Sequence, residues 1–327
     1  MSATRQLGPL PALGLWAALC LGGGLYGSWL GYGGHSLAAT LTAFAFYLAV
    51  TMLLAARGVT DFLISRSGAS AGIILETSVF LAYLFYAVGT NTLLFTRAGA
   101  IAGLVFVPLA LAAWAKGKPP GAWQDFFTIA GIWVFVKFSP SHWLWPYPAG
   151  RLAYVFTVLL ALNTALASYV LVRRVKGIGY SIAWGRRWGF YVLASFVGFA
   201  LIAIPLGEGL HFIVFAPNRT GWIWLPFVTI AIFLFTAWPE EFLFRGLLQN
   251  LLSRALKSEF AGWWTASILF GFSHITNGIF PNWRYVFLAS IAGVFYGWAW
   301  RKGGSIFASA LVHAAVDTTW RFLFRTM

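Results

Sequence analysis

Acidic residues are scarce in this chain: eight Asp and Glu among 327 residues, with only 9% of residues charged. A water-soluble domain keeps about a quarter of its residues charged to hold its surface in water, so a soluble globular protein is excluded. An acidic tail and a nucleic-acid binder with a solvated surface are excluded with it. The one cysteine, Cys20, rules out an internal disulfide framework and any cysteine-rich metal site. What abounds is apolar: 60% of residues are hydrophobic and 19% aromatic, with a mean hydropathy of +0.78. The formal charge of +14 therefore reads as the loop charge of a membrane protein, where lysine and arginine meet anionic head groups.

A helix crossing the hydrocarbon layer needs about 20 apolar residues. Runs of that kind lie near residues 10–31, 37–56, 71–96, 98–115, 122–138, 150–172, 188–206, 222–251, 261–276, 284–300 and 304–323. The expected fold is thus all-α, a polytopic transmembrane helical bundle of about eleven spans. The fifth run is interrupted by Asp125 and Lys137, which leaves a re-entrant or interfacial segment open. With a cytoplasmic N-terminus, Arg5, Arg57, Arg66, Lys116, Lys118, Arg173, Arg174, Lys176, Arg186, Arg187, Arg254, Lys257, Arg301 and Lys302 fall inside. Arg97, Lys137, Arg151, Arg219, Arg284, Arg321 and Arg325 fall outside, and Arg245 stays within a span. The positive-inside rule favours that orientation.

The basic stretch 173–187 divides the chain. Residues 1–172 form an N-terminal transmembrane region of about six spans without a chemical motif, expected to be dispensable for chemistry and to bear on substrate choice. Residues 173–187 read as a basic cytoplasmic linker. Residues 188–327, about five spans, hold nearly every polar group that needs a reason.

An ionisable group at bilayer depth costs several kcal/mol unless paired or hydrated. Glu240, Glu241, His274, His313 and Asp317 stand out, with Arg245 as a built-in counter-charge. Pro239 is expected to kink the eighth span and start a fresh helical segment whose first turn carries both acids. Glu241 and Arg245, four apart, can pair along one face, and Glu240 points elsewhere. Phe270 and His274 share a face near the middle of their span, and so do His313 and Asp317, flanked by Ala310 and Ala314. Taken singly, a kinked helix start, an interhelical histidine strut and a structural His–Asp pair account for the three clusters. Together on three helices they describe a hydrated site. Glu240 would take a proton from a water that His274 helps to hold, and His313 with a neighbour would stabilise the oxyanion formed on an amide carbonyl.

No H-E-x-x-H occurs, Gly271-x-Ser273 lacks the following glycine of a serine nucleophile motif, and Asp317 has no second membrane aspartate to form a dyad. A proton-coupled transporter using the same residues as a relay is the alternative. It would be expected to show broken helices in two repeats, and only Pro239 marks such a break. Bis-histidine haem ligation by His274 and His313 would leave Glu240 unexplained.

The three clusters resemble the motifs of the CPBP intramembrane proteases, which include the CAAX prenyl endopeptidases: E-E-x-x-x-R at Glu240–Arg245, F-x-x-x-H at Phe270–His274 and H-x-x-x-N/D at His313–Asp317. The resemblance covers about residues 188–325 and implies a C-terminal CPBP-like catalytic bundle. By that resemblance Glu240 and His274 activate water, His313 and Asp317 form the oxyanion site, and Glu241, Arg245 and Phe270 support them. The implied activity is hydrolysis of a peptide bond in a membrane-embedded or membrane-anchored peptide, with the lipid bilayer as the other partner and no nucleic acid. The cytoplasmic membrane of a prokaryote is the expected location. Where the CAAX endopeptidases carry Asn, this chain has Asp317, which cannot donate to an oxyanion while ionised. Asp317 is left to orient His313, to be protonated, or to ligate a metal. The expectation is a site without a metal cofactor, zinc being the alternative.

Overall fold

The computed structural model describes residues 5–68, 70–148 and 152–327, with the backbone alone at Arg219 and Thr220. Arg151 and the side chain of Arg219, both counted above to the outer side, lie outside the described residues. By its internal contacts the chain divides into two compact units: Leu7–Lys176, and Gly177–Met327 together with residues 5–6.

The first unit consists of α1 (Pro9–Trp29), α2 (Gly34–Leu54), α3 (Val59–Ser67), α4 (Ser70–Gly89), α5 (Phe95–Ala115), α6 (Trp123–Phe138), α7 (Ser141–Leu144) and α8 (Leu152–Val172). Long apolar runs leave the helix as the one local way to satisfy every backbone N–H and C=O in lipid. Helix α8 is apolar on all sides and is the buried axis of this unit. Asp125 explains why the fifth run is short. Its carboxylate accepts from the Gly121 N–H at 2.9 Å, closing the turn before α6, and pairs with Arg173 at 3.0 Å. The 16-residue α6 spans about 24 Å, less than the hydrocarbon thickness of about 30 Å.

The second unit consists of α9 (Trp188–Gly209), α10 (Gly221–Ala255), α11 (Glu259–Phe272), α12 (Trp283–Gly303) and α13 (Ile306–Leu323). Two short antiparallel pairs tie its ends: Arg5–Gln6 with Ala183–Trp184, and Ile213–Phe215 with Phe324–Thr326. Ser258 caps α11 by accepting from the Ala261 N–H at 3.2 Å, and Asn282 caps α12 through the Tyr285 N–H at 3.1 Å.

Among the described residues, seven helices are long and apolar enough to cross a membrane: α1, α2, α4, α5, α8, α9 and α10. The protein is an all-α, multi-pass helical bundle. The other four expected spans are present as helices. However, α6 and α11 are short, and the charged residues of α12 and α13, with the Trp, Tyr and Gly of α12, dilute their apolar ones.

At Pro239 the helix does not restart. Residues on either side keep right-handed helical dihedrals, Ala237 at φ −64°, ψ −48° and Glu241 at φ −68°, ψ −33°. Wide π turns at Phe233–Ala237 and Phe242–Gln249 flank it. The wider turns absorb the missing N–H and the clash of the proline ring, so α10 runs through. The two acids are therefore mid-helix, with no helix terminus to offset their charge.

Helix α11 lies close against α12 because glycines face each other's backbone. A β-carbon at Gly271 would stand 2.5 Å from the Val286 carbonyl oxygen and collide with Ser290 Oγ, and one at Gly293 would stand 2.9 Å from Ser267 Cα. Gly271→Ala is expected to cost about 1–3 kcal/mol, read as a lower unfolding temperature in detergent. An unfolding temperature at the parent value would mean that the two helices separate without strain.

Candidate active site

Glu241 on α10 is fully buried. Its Oε2 accepts from Arg245 Nε at 3.1 Å, the pairing its spacing predicts, and its Oε1 lies 2.9 Å from His313 Nδ1. That second contact joins α10 to α13. Arg245 is also fully buried and lays its guanidinium over the Phe270 ring, 5.0 Å from the centroid. Its Nη1 and Nη2 find no hydrogen-bond acceptor among the described residues.

His313 is buried between two rings. Tyr296 stacks on it at 4.7 Å with an interplanar angle of 18°, and Phe270 meets it edge-on at 5.7 Å. Its Nε2 faces Asp317 Oδ2 at 3.5 Å, longer than a hydrogen bond. Asp317 is the open member of the pair, with its side chain 37% exposed.

His274 is not mid-span. Helix α11 ends at Phe272, and His274 sits in the turn beyond it, its N–H donating to the Gly271 carbonyl at 3.0 Å. The end is fixed by side chains: Ser273 Oγ donates to the Phe270 carbonyl at 2.7 Å, and His274 Nδ1 lies 2.8 Å from the same oxygen. Nδ1 must then carry the proton toward that carbonyl, which leaves Nε2 as a base or acceptor. The loop beyond is braced by Asn282, whose Nδ2 donates to the Asn277 carbonyl at 2.7 Å.

Phe270 packs against both imidazoles, at 4.8 Å from His274 and 5.7 Å from His313. Tyr285 packs on the other side of His274 at 4.8 Å, and Glu240 and Asp317 both lie within electrostatic reach of it. The structure thus gathers all seven sequence-predicted residues into one neighbourhood, with Glu240 and His274 half-buried and Glu241, Arg245, Phe270 and His313 inside. Two residues escaped sequence reasoning, Tyr285 and Tyr296. They lie about three turns apart on α12 and so share a face, a spacing that an otherwise unremarked apolar span did offer.

Residues 222–319 match the family model of the Rce1-like type II CAAX prenyl endopeptidases. This segment is similar to the CAAX protease family. The match contains all three motifs and runs from α10 to α13, so the protease segment is the same set of helices that builds the site. Helix α9 and the unit Leu7–Lys176 lie outside it. No curated protein and no solved structure matches the chain. The similarity is to intramembrane CAAX-type endopeptidases in their general class.

Glu241 and Asp317 face opposite nitrogens of His313. Among the described residues no group of three His, Cys, Asp or Glu side chains has the arrangement of a metal site.

Proposed function

We propose that the protein hydrolyses a peptide bond by a water that Glu240 and His274 activate, with the oxyanion stabilised from the His313 side. The observation that carries this reading is the Glu241–His313 contact at 2.9 Å. It fixes His313 Nδ1 on an anion and so sets Nε2 as the ring atom available to a substrate. Glu241 is fully buried and committed to Arg245 and His313, whereas Glu240 beside it is half-buried, and the base is assigned to Glu240. His274, polarised through Nδ1 by the Phe270 carbonyl, offers Nε2 to the same water. Proton transfer from water to Glu240 makes the nucleophile. It adds to the amide carbon, the oxyanion accepts from Nε2–H of His313 held as the imidazolium between its flanking carboxylates, and the proton on Glu240 passes to the leaving nitrogen.

Asp317 competes for His313 Nε2 in the resting protein, so in this reading it must yield or carry a proton when substrate enters. This reading uses no metal, with zinc as the alternative. In this reading the N-terminus is cytoplasmic, which the loop charges favour, and the host membrane is that of a prokaryote.

The test is cleavage of membrane-anchored peptides, prenylated and unmodified, by the purified full chain. Activity is expected to persist in chelator and to fall about 10²-fold or more in His274→Ala. Loss of activity in chelator with recovery on adding zinc would overturn the metal-free reading. A fully active His274→Ala would remove His274 from the water site.

A further inference from the structure

The hydrolysis proposed above gives the oxyanion one donor, His313 Nε2–H. Asp317 lies 3.5 Å from that nitrogen and cannot donate while it is ionised. Oxyanion sites work through several donors fixed in place beforehand, so a further donor on this side would complete the arrangement.

Tyr285 stands in the first turn of α12, beside both parts of the site. Asn282 accepts from the Tyr285 N–H at 3.1 Å and donates to the Asn277 carbonyl at 2.7 Å, which ties this turn to the loop after His274. The phenol ring is clamped by three others: His274 at 4.8 Å, Phe212 at 5.4 Å, and Trp320, stacked at 5.8 Å with an interplanar angle of 23°. Trp320 follows Asp317 by three residues and shares its face of α13, so the ring bridges the His274 turn and the helix that carries His313 and Asp317. At the hydroxyl end, the Asn277 side chain is a hydrogen-bond partner, and Glu240 and Asp317 both lie within electrostatic reach. A phenol oxygen that accepts from an amide keeps its own proton to give. Tyr285 is half-buried and the Asp317 side chain is 37% exposed, so this side is open to a substrate. Tyr296, the other tyrosine near the site, is buried flat against His313.

We infer that the Tyr285 hydroxyl is a second oxyanion donor, a role that rests on the reaction proposed above. The hydroxyl donates to the developing oxygen anion beside His313 and keeps its proton throughout, while its clamped ring holds it in place before substrate arrives.

The experiment uses the purified full chain in detergent, a membrane-anchored peptide, and its phosphinate analogue, in which a tetrahedral phosphorus with a charged oxygen replaces the scissile carbonyl. Tyr285→Phe keeps the ring and loses only the hydroxyl. It is expected to lower kcat about 10²-fold with KM within about twofold of the parent, the pattern of a donor engaged only in the transition state. The phosphinate is expected to lose affinity by a similar factor, measured by calorimetry. The unfolding temperature is expected to fall by no more than about 4 °C, the worth of the hydrogen bond to Asn277. A residue that merely packs the site would weaken peptide and phosphinate alike and spare kcat, and that result overturns the proposal. Glu240→Gln is measured beside it. An inactive Glu240→Gln with a fully active Tyr285→Phe refutes the donor and keeps the assigned base. An active Glu240→Gln removes the base, and the phosphinate comparison, which needs no base, still decides the donor. A parent chain that cleaves no peptide refutes both.

Discussion

Glu240→Gln is expected to lower kcat for peptide cleavage by about 10²–10⁴-fold, the usual worth of a general base, and to leave the unfolding temperature unchanged. The amide keeps the size of the side chain at a half-buried position, so packing around Tyr285 persists while the proton acceptor is lost. Initial rates over a range of peptide concentration, with a parallel melting curve, separate the two effects. Glu241→Gln is the comparison. It disturbs the pairing with Arg245 and His313 and is expected to lower both rate and stability. A Glu240→Gln variant that turns over at the parent rate, beside an inactive but stable Glu241→Gln, would exchange the roles assigned to the two acids.

Glu241→Ala is expected to cost about 3–5 kcal/mol of stability, enough to keep little folded protein in detergent. The reason is the buried guanidinium of Arg245, which would lose its anion while remaining out of water, and His313 Nδ1 would lose its acceptor in the same step. The double variant Glu241→Ala/Arg245→Met removes both charges and is expected to recover part of the loss, since replacing a whole buried ion pair is far milder than breaking one. Unfolding temperatures of both single variants and the double form a cycle that measures the coupling. A double variant no more stable than Glu241→Ala would show that Arg245 is not the group left stranded.

How far the sequence could be read depended on the range of the interaction. The Glu241–Arg245 and His313–Asp317 pairs follow from helical spacing alone and appear as such, although the second is loose at 3.5 Å. The link from Glu241 to His313 spans |i−j| = 72 and has no local signature, so reading along the chain gave Glu241 its partner Arg245 but not its partner His313. Pro239 misled because a proline ends a regular α-helix, whereas here π turns on both sides take up the misfit. His274 was placed too deep because Ser273 and His274 themselves cap the helix end at the Phe270 carbonyl, which an apolar-run count cannot register.

The length of α10 has a mechanical consequence. Its 35 residues would extend about 50 Å as a regular helix, against a hydrocarbon slab of about 30 Å, so the rod must lean or protrude from the bilayer. Glu240 lies close to its midpoint, which sets the acid near half-depth whichever way the rod leans. With Glu240 as the proposed base, a scissile bond would have to be drawn down to that level and unwound there, and the thickness of the host bilayer, through the lean it imposes, would then control how easily a substrate arrives.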